Sequence, residues 1–305
     1  TGSPVPLFVS SVEHSAVLEA AEHVEASRDA SVTVLETSPD GSLDLEPLEK
    51  GAPTSSRDGA APLVSVMWVN NETGMVLPVD DVVEAGRSWG AATHSDASQA
   101  LGKVPISVVE PGLDLLTATG HKIGGPRGMG ILFVREGVEL MPLLFGGGQE
   151  RRLRPGTEDV AGAVGLATAI RLAVSEQEEE AARLESLRSR LESGLRARIA
   201  GIRINCGEAR RSPHVSSVGI TGIPDGQALL MALDLEGVAV SGGSACHSGA
   251  GKGSHVIAAL YGSDDPMATV RFSLGRTSTA DDVDRAVAAT AAVVDRIRPS
   301  SEDAA

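Results

Sequence analysis

The sequence predicts an α/β protein with a mostly parallel central sheet in a large domain (residues 1–172), followed by a smaller C-terminal α+β domain (residues 173–305). Three observations predict it. Short β-branched or apolar runs alternate with helical patterns through the first half, as in successive βαβ units. The run PLVSVMWVN (62–70) is almost wholly apolar, as expected of a strand buried on both faces. From about Asp159 the pattern changes to about 40 residues of helical periodicity, the kind of helix pair that bridges two domains.

The elements follow in order. SVEHSAVLEAAEHVEAS (11–27) reads as a helix with Ser11 as its N-cap, and SVTVLE (31–36) as a strand. After the 62–70 strand comes a helix over 79–89. The strands ATHSDA (92–97), LDLLTAT (113–119) and GMGILFVR (128–135) follow. The long helical stretch carries Glu–Arg spacings of four, such as Glu179 and Arg183, which support it as ion pairs. Beyond Arg203, SSVGI and ATVRFSL read as strands, and 225–235 and 281–297 as helices. The tail RPSSEDAA is expected to be disordered, and no internal repeat is present.

Composition narrows the function classes. A net charge of −15 and only 2% aromatic residues argue against nucleic-acid binding. The acidic run 176–180 reads as a solvated helix face. No apolar run reaches the length that spans a bilayer, and TGSPVPLFVSS lacks the features of a signal peptide. The chain opens on Thr1 and not methionine, so residue 1 is expected not to be the natural start. Two cysteines make no disulfide framework, and the default setting is reducing and cytoplasmic. No spacing of His, Cys and carboxylates suggests a structural zinc site.

Polar clusters sit where ligands sit in such folds, at the carboxyl ends of strands: NNETG, HSDASQ and TGHKIGG. Alone, a lysine at a strand end is a solvated surface residue and an aspartate in a strand a satisfied core group. Three such clusters converging on one sheet edge need partners. A partly buried lysine forms a Schiff base with an aldehyde, and a carboxylate beside a ring nitrogen keeps a pyridinium protonated. That pairing is the one expected around pyridoxal 5'-phosphate, and a Thr–Gly–His segment donates hydrogen bonds to a phosphate.

HSDASQALGK, GHKIGGPRGMG, GGGQERRLRPGTEDV and SGGSACHSG, together with VEHSAVLEA and VNNETGMVLPV, occur in the order of the cysteine desulfurases. The sequence resembles these NifS/IscS-like enzymes of the class-V aminotransferase family, which have PLP-dependent transferase fold type I, from about residue 7 to 297. The resemblance implies that 1–172 binds the cofactor, that 173–305 carries a catalytic cysteine loop, and that the chain is a homodimer. It implies that Lys122 holds the aldehyde, Asp96 pairs with the pyridinium nitrogen, and Gln99 and Asn71 lie near the phenolic oxygen. His14 would stack on the ring, Thr119 and His121 would hold phosphate, and Arg271, with Asn71, would hold the substrate carboxylate. Thr157 would complete the phosphate pocket of a second subunit, and FGGGQE would form a tight crossing near that contact.

Cys246 would be the nucleophile, in a loop rich in glycine and serine, with His247 and Lys252 as nearby cations that favour thiolate. Cys206 reads as an ordinary small side chain, His94 as a satisfied hydrogen-bonder, and His255 as the start of a helix. The implied reaction takes L-cysteine to L-alanine. It leaves a persulfide on Cys246, which passes sulfur to an acceptor such as an iron–sulfur scaffold or a tRNA-thiolating enzyme. Family members carry a further N-terminal segment with a phosphate-cradling loop, and this sequence is read as lacking it. The competing expectations are a selenocysteine lyase, an aminotransferase, or a cofactor-free truncated interaction partner.

Overall fold

The computed structural model describes residues 4–27, 29–50, 61–88, 90–242 and 253–298. Six strands form the first sheet: β1 (Val5–Ser10), β2 (Ala30–Leu35), β3 (Leu63–Ser65), β4 (Ala92–Asp96), β5 (Leu115–Thr119) and β6 (Gly130–Val134). Their spatial order is β2-β1-β3-β4-β5-β6. All neighbours are parallel except β5 and β6. The chain leaves β1 toward one edge and returns at β3 toward the other. The β1/β3 junction is therefore the switch point, where a crevice opens beyond the carboxyl ends of the strands. A second, antiparallel sheet joins β7 (Ile202–Ile204), β8 (Val215–Ile220) and β9 (Ala268–Ser273) in that order.

The helices are α1 (Ser15–Ala26), α2 (Glu46–Glu49), α3 (Val79–Arg87), α4 (Val160–Ser175), α5 (Gln177–Arg198), α6 (Gly226–Leu235), α7 (His255–Tyr261) and α8 (Ala280–Ile297). In α3, Asp80 and Asp81 occupy the first turn and Arg87 the last, which complements the helix dipole. In α8, Thr279 and Asp282 form a reciprocal capping box. One face of α8 packs Val283, Val287 and Val294 against Leu191 and Leu195 of α5 and Val218 and Val270 of the second sheet. The first sheet is filled by Val64, Val66, Leu35 and Val82 on one side of the core and by Val83, Leu101 and Leu116 on another. Cys206, Val256 and Leu260 pack in the first of these clusters, with Phe8 and Val12. Later parts of the chain thus return to the first sheet.

The structure differs from the sequence reading at several elements. The helix expected from Ser11 starts at Ser15. Its N-cap is His14, whose Nδ1 accepts from Ala16 N at 3.1 Å, while the Ser11 hydroxyl accepts from Thr37 N at 3.1 Å. The apolar run 62–70 is a strand only over 63–65. Val66 N and Trp68 N still bond to β4 carbonyls at 3.1 and 2.9 Å, but on the β1 side the Glu13 carboxylate replaces the strand, accepting from Met67 N at 2.5 Å. The long helical stretch breaks at Glu176 into α4 and α5. Arg183 pairs with Glu180, one residue nearer than Glu179, through two bonds of 2.8 Å. β1 and β7 were not read from sequence. The tail 299–305 and Trp89 lie outside the described residues. Among the described residues no helix is long and apolar enough to cross a membrane, and no cluster of His, Cys, Asp and Glu could hold a metal ion.

Candidate active site

The site is built from strand exits. At the exit of β5 the chain enters a 3-10 turn, Gly120–Ile123, that carries Lys122. The turn closes on Gly124, whose φ of +78° is open to glycine without strain. Gly120 is required by space: a Cβ there would meet Leu166 Cδ1 at 2.9 Å and the Met129 carbonyl at 3.2 Å. At the same exit the Thr119 hydroxyl and His121 Nδ1 are 2.7 Å apart. Asp96 ends β4, and its Oδ1 accepts from Ser98 N at 2.8 Å.

Beyond β3 the NNETG segment makes a tight turn around Asn70. Its Oδ1 accepts from Glu72 N, Thr73 N and Thr73 Oγ1 at 2.9, 2.9 and 3.0 Å, and its Nδ2 donates to Val12 O at 2.9 Å. Asn71 is thereby held facing β9, whose Arg271 donates through Nη1 to the Asn71 carbonyl at 2.9 Å. Burial lowers the Arg271 guanidinium below its usual range, and the charge of Glu72 draws it back up.

These residues meet. A cavity of about 320 Å³ is lined by His14, Asn71, Asp96, Gln99, Thr119, His121, Lys122 and Arg271, with Met67, Val69 and Ser98. A larger cavity of about 440 Å³ shares Asn71, Gln99, His121, Lys122 and Arg271 and continues past Lys103 and His214 toward α5. Two sequence-predicted residues are not among them. Thr157 is exposed, in the segment before α4, and Cys246, with His247 and Lys252, lies outside the described residues.

A pyridoxal phosphate fits this donor set on structural grounds. Asn71 Oδ1 and Arg271 Nε are buried with no hydrogen-bond partner, although both residues line the cavity. Such atoms are costly unless a ligand meets them. An amine, a carboxylate, an imidazole and a hydroxyl pair surround the space, which is the chemistry an aldehyde, a ring nitrogen and a phosphate need.

Several residues around the site were not singled out by the sequence. Glu13 is fully buried beside His14. Its Oε1 accepts from Ser10 Oγ at 2.6 Å and from Met67 N, and burial, with the Asp96 charge adding, pushes its carboxyl up to about 8. Lys103 Nζ donates to the Lys122 carbonyl at 3.2 Å, and desolvation and then the Lys122 charge lower its ammonium to about 8. His214 Nε2 lies 3.2 Å from Gln99 Oε1. Only Lys103 had a visible signal, a lysine following a glycine turn within HSDASQALGK. The readings of His94 and His255 agree with the geometry. His94 bridges Ser65 Oγ at 2.8 Å and Thr117 Oγ1 at 3.1 Å, and its burial lowers its proton affinity. His255 opens α7 and donates through Nε2 to the Glu13 carbonyl at 2.9 Å.

Comparison with known proteins gives one consistent picture. The family pattern described as aminotransferase class-V matches residues 6–286. An IscS-like cysteine desulfurase of Mycobacterium tuberculosis is 41% identical over 302 residues, which are 98% of this chain and 76% of that protein. Among solved structures, a NifS-like protein from Rickettsia africae superposes with a TM-score of 0.83 at 28% identity, covering 95% of this chain and 76% of its own. SspA in complex with cysteine superposes with a TM-score of 0.70 at 29% identity, covering 89% and 74%.

Proposed function

The chain belongs to the class-V aminotransferase family, and on that premise we propose that it is a cysteine desulfurase, taking sulfur from L-cysteine, leaving L-alanine, and holding the sulfur as a persulfide on Cys246. The observation that carries the reading is the single cavity that collects eight residues from the exits of β1, β3, β4 and β5 and from β9. The relative solved with cysteine supports the substrate.

Pyridoxal 5'-phosphate, when bound, supplies an aldehyde for the substrate amine and a protonated ring that takes up the electron pair released at the α-carbon. The chain's own residues do the rest. Asp96 would keep the proton on the ring nitrogen, and Gln99 and Asn71 would meet the phenolic oxygen. His14 would cover the ring, and Thr119 and His121 would hold the phosphate. Lys122 would be the attachment point and would also serve as the base for the α-proton, a role worth roughly 10²–10⁴-fold. Arg271, with Asn71 beside it, holds the substrate carboxylate as a two-pronged donor. The Cys246 thiolate attacks the substrate sulfur. The carbon–sulfur bond breaks as the sulfur–sulfur bond forms; its electron pair stays with the carbon fragment, which takes up a proton at that carbon and leaves as alanine.

The active unit is a homodimer. Met141, Leu143 and Phe145 are 88%, 93% and 84% exposed, and Val160 and Val164 of α4 are exposed beside them in sequence. A second copy would cover these exposed apolar side chains. Thr157, exposed between these segments, would enter the phosphate pocket of a second copy. The proposed division at 172/173 falls within α4; the two sheets have separate cores, joined where Cys206 and α7 pack against the first. A protein acceptor, such as an iron–sulfur scaffold, takes the sulfur in the cytoplasm.

The test is direct. The chain incubated with pyridoxal phosphate should gain an absorbance band at about 390–420 nm. With L-cysteine and a dithiol reductant, which returns the persulfide to thiol, it should release alanine and sulfide in equal amounts. A Cys246→Ser variant that still forms persulfide at the full rate, or a wild type that stays colourless, refutes the reading.

A further inference from the structure

His214 and Gln99 are 115 residues apart in the chain and come from different sheets, yet His214 Nε2 sits 3.2 Å from Gln99 Oε1. His214 immediately precedes β8, and Gln99 lies in the turn after β4. The imidazole is buried, and its other nitrogen, Nδ1, has no partner. Desolvation, reinforced by the charges of Lys103, Arg271, Arg188 and Lys122, holds the ring well below the usual histidine range. The ring is therefore neutral and carries one N–H.

That hydrogen has two places to go. On Nδ1 it would be a buried donor with no acceptor, and the Nε2 lone pair would face the lone pairs of the Gln99 oxygen. On Nε2 it completes a hydrogen bond. The ring is thus the Nε2–H form, and the Gln99 oxygen is occupied. What remains of the amide is its –NH₂ group, in a residue that lines both cavities.

We propose that His214 is a positioning residue that locks the Gln99 amide with its nitrogen toward the cofactor cavity, so that Gln99 meets an anionic ring oxygen only as a donor. Without the lock the amide can turn and present its own oxygen, which repels a phenolate. A side chain of the second sheet thereby sets the polarity of a contact made by the first. The inference rests on the reading of this cavity as the pyridoxal phosphate site, with Gln99 beside the phenolic oxygen.

Two experiments test it. In the first, no cofactor is needed: ¹⁵N-histidine NMR of the cofactor-free chain should show His214 neutral and protonated on Nε2 from about pH 6 to 8. An Nδ1–H tautomer or a charged ring overturns the proposal. In the second, pyridoxal phosphate is titrated into His214→Leu, Gln99→Leu and the double variant. Each single change should weaken binding about tenfold and shift the visible band, and the double variant should be no worse than either, the mark of two residues acting through one contact. His214→Gln, which returns an N–H near the position of Nε2, should recover affinity to within about threefold of wild type. Additive losses, an unshifted band in His214→Leu, or no recovery in His214→Gln overturn the proposal. A wild-type chain that takes up no pyridoxal phosphate refutes the functional reading, while the tautomer still decides the lock.

Discussion

Replacing Glu13 by glutamine should stabilise the protein at pH 8 and not at pH 5. The carboxyl is fully buried and its proton affinity is raised from an ordinary 4.5 to about 8, chiefly by desolvation. In the unfolded chain the group ionises above about pH 4.5; in the folded chain it keeps its proton until about pH 8. Across that window the folded state binds one more proton than the unfolded state, so stability falls as pH rises, by about 1.4 kcal/mol per unit. Over the 3.5 units between 4.5 and 8 the loss is about 5 kcal/mol. Above pH 8 the group adds no further slope. Glutamine cannot titrate, and its oxygen can still accept from Ser10 Oγ and Met67 N. Its –NH₂ would occupy the place of Oε2, which has no partner, at a cost of about 1–3 kcal/mol. The balance favours the variant by about 2–4 kcal/mol at pH 8 and disfavours it by about 1 kcal/mol at pH 5. Urea midpoints followed by tryptophan fluorescence at both pH values, with unchanged m-values, measure it. A Glu13→Gln protein that loses stability by the same amount at pH 5 and pH 8 would refute the reasoning.

The other predictions are shorter. Lys103 titrates at about 8 folded against 10.5 unfolded, so the unfolded state binds more protons between those values and stability should rise with pH there. Discounted for partial exposure, the rise is about 2 kcal/mol, and denaturation of Lys103→Met across the window should show it gone. Arg271→Lys loses the planar two-pronged donor and should lower kcat/KM for L-cysteine by about 10–150-fold, mainly through KM in steady-state assays. Thr279→Ala opens the capping box of α8 and should cost about 1 kcal/mol in urea denaturation, with the cofactor band unmoved.

Strand ends were legible in the sequence because each breaks an apolar run with residues that carry chemistry. Asp96 ends its strand and Lys122 lies three residues past one, while Asn71 follows the apolar run 62–70 directly although β3 itself ends at Ser65; order along the chain was enough to place them on one edge. Shorter or longer-range features were not legible. β7 has three residues, too few to show a period of two. β1 was weighed as a leader segment instead of as a strand. The helix start at Ser11 was misplaced because serine is the commoner cap, while here the His14 ring nitrogen takes that role. Glu179 and Glu180 are equally good on spacing, and only the direction of the α5 face chooses Glu180. The Gln99–His214 and Lys103–Lys122 contacts depend on the packing of turns against distant elements, and no local pattern encodes them.

The two ends of the segment that carries Cys246 bear on how far its thiol can act. Before it, Ser241 is joined to Arg271 by backbone bonds of 2.6 and 3.2 Å. After it, the Ser254 hydroxyl donates to Glu72, next to Asn71, while His255 holds the Glu13 carbonyl at 2.9 Å. Both tethers therefore lie next to residues that line the cavity, one beside Arg271 of β9 and one beside Asn71 in the turn beyond β3. From Ser241 to Cys246 is five residues, and a fully extended chain covers at most about 3.6 Å per residue, so the Cα that bears the thiol can lie no more than about 18 Å from that tether. A sulfur acceptor must accordingly bring its own thiol to within that radius of Ser241, extended by the length of a cysteine side chain. An acceptor site mapped by cross-linking to a surface far outside it would be incompatible with direct transfer from Cys246.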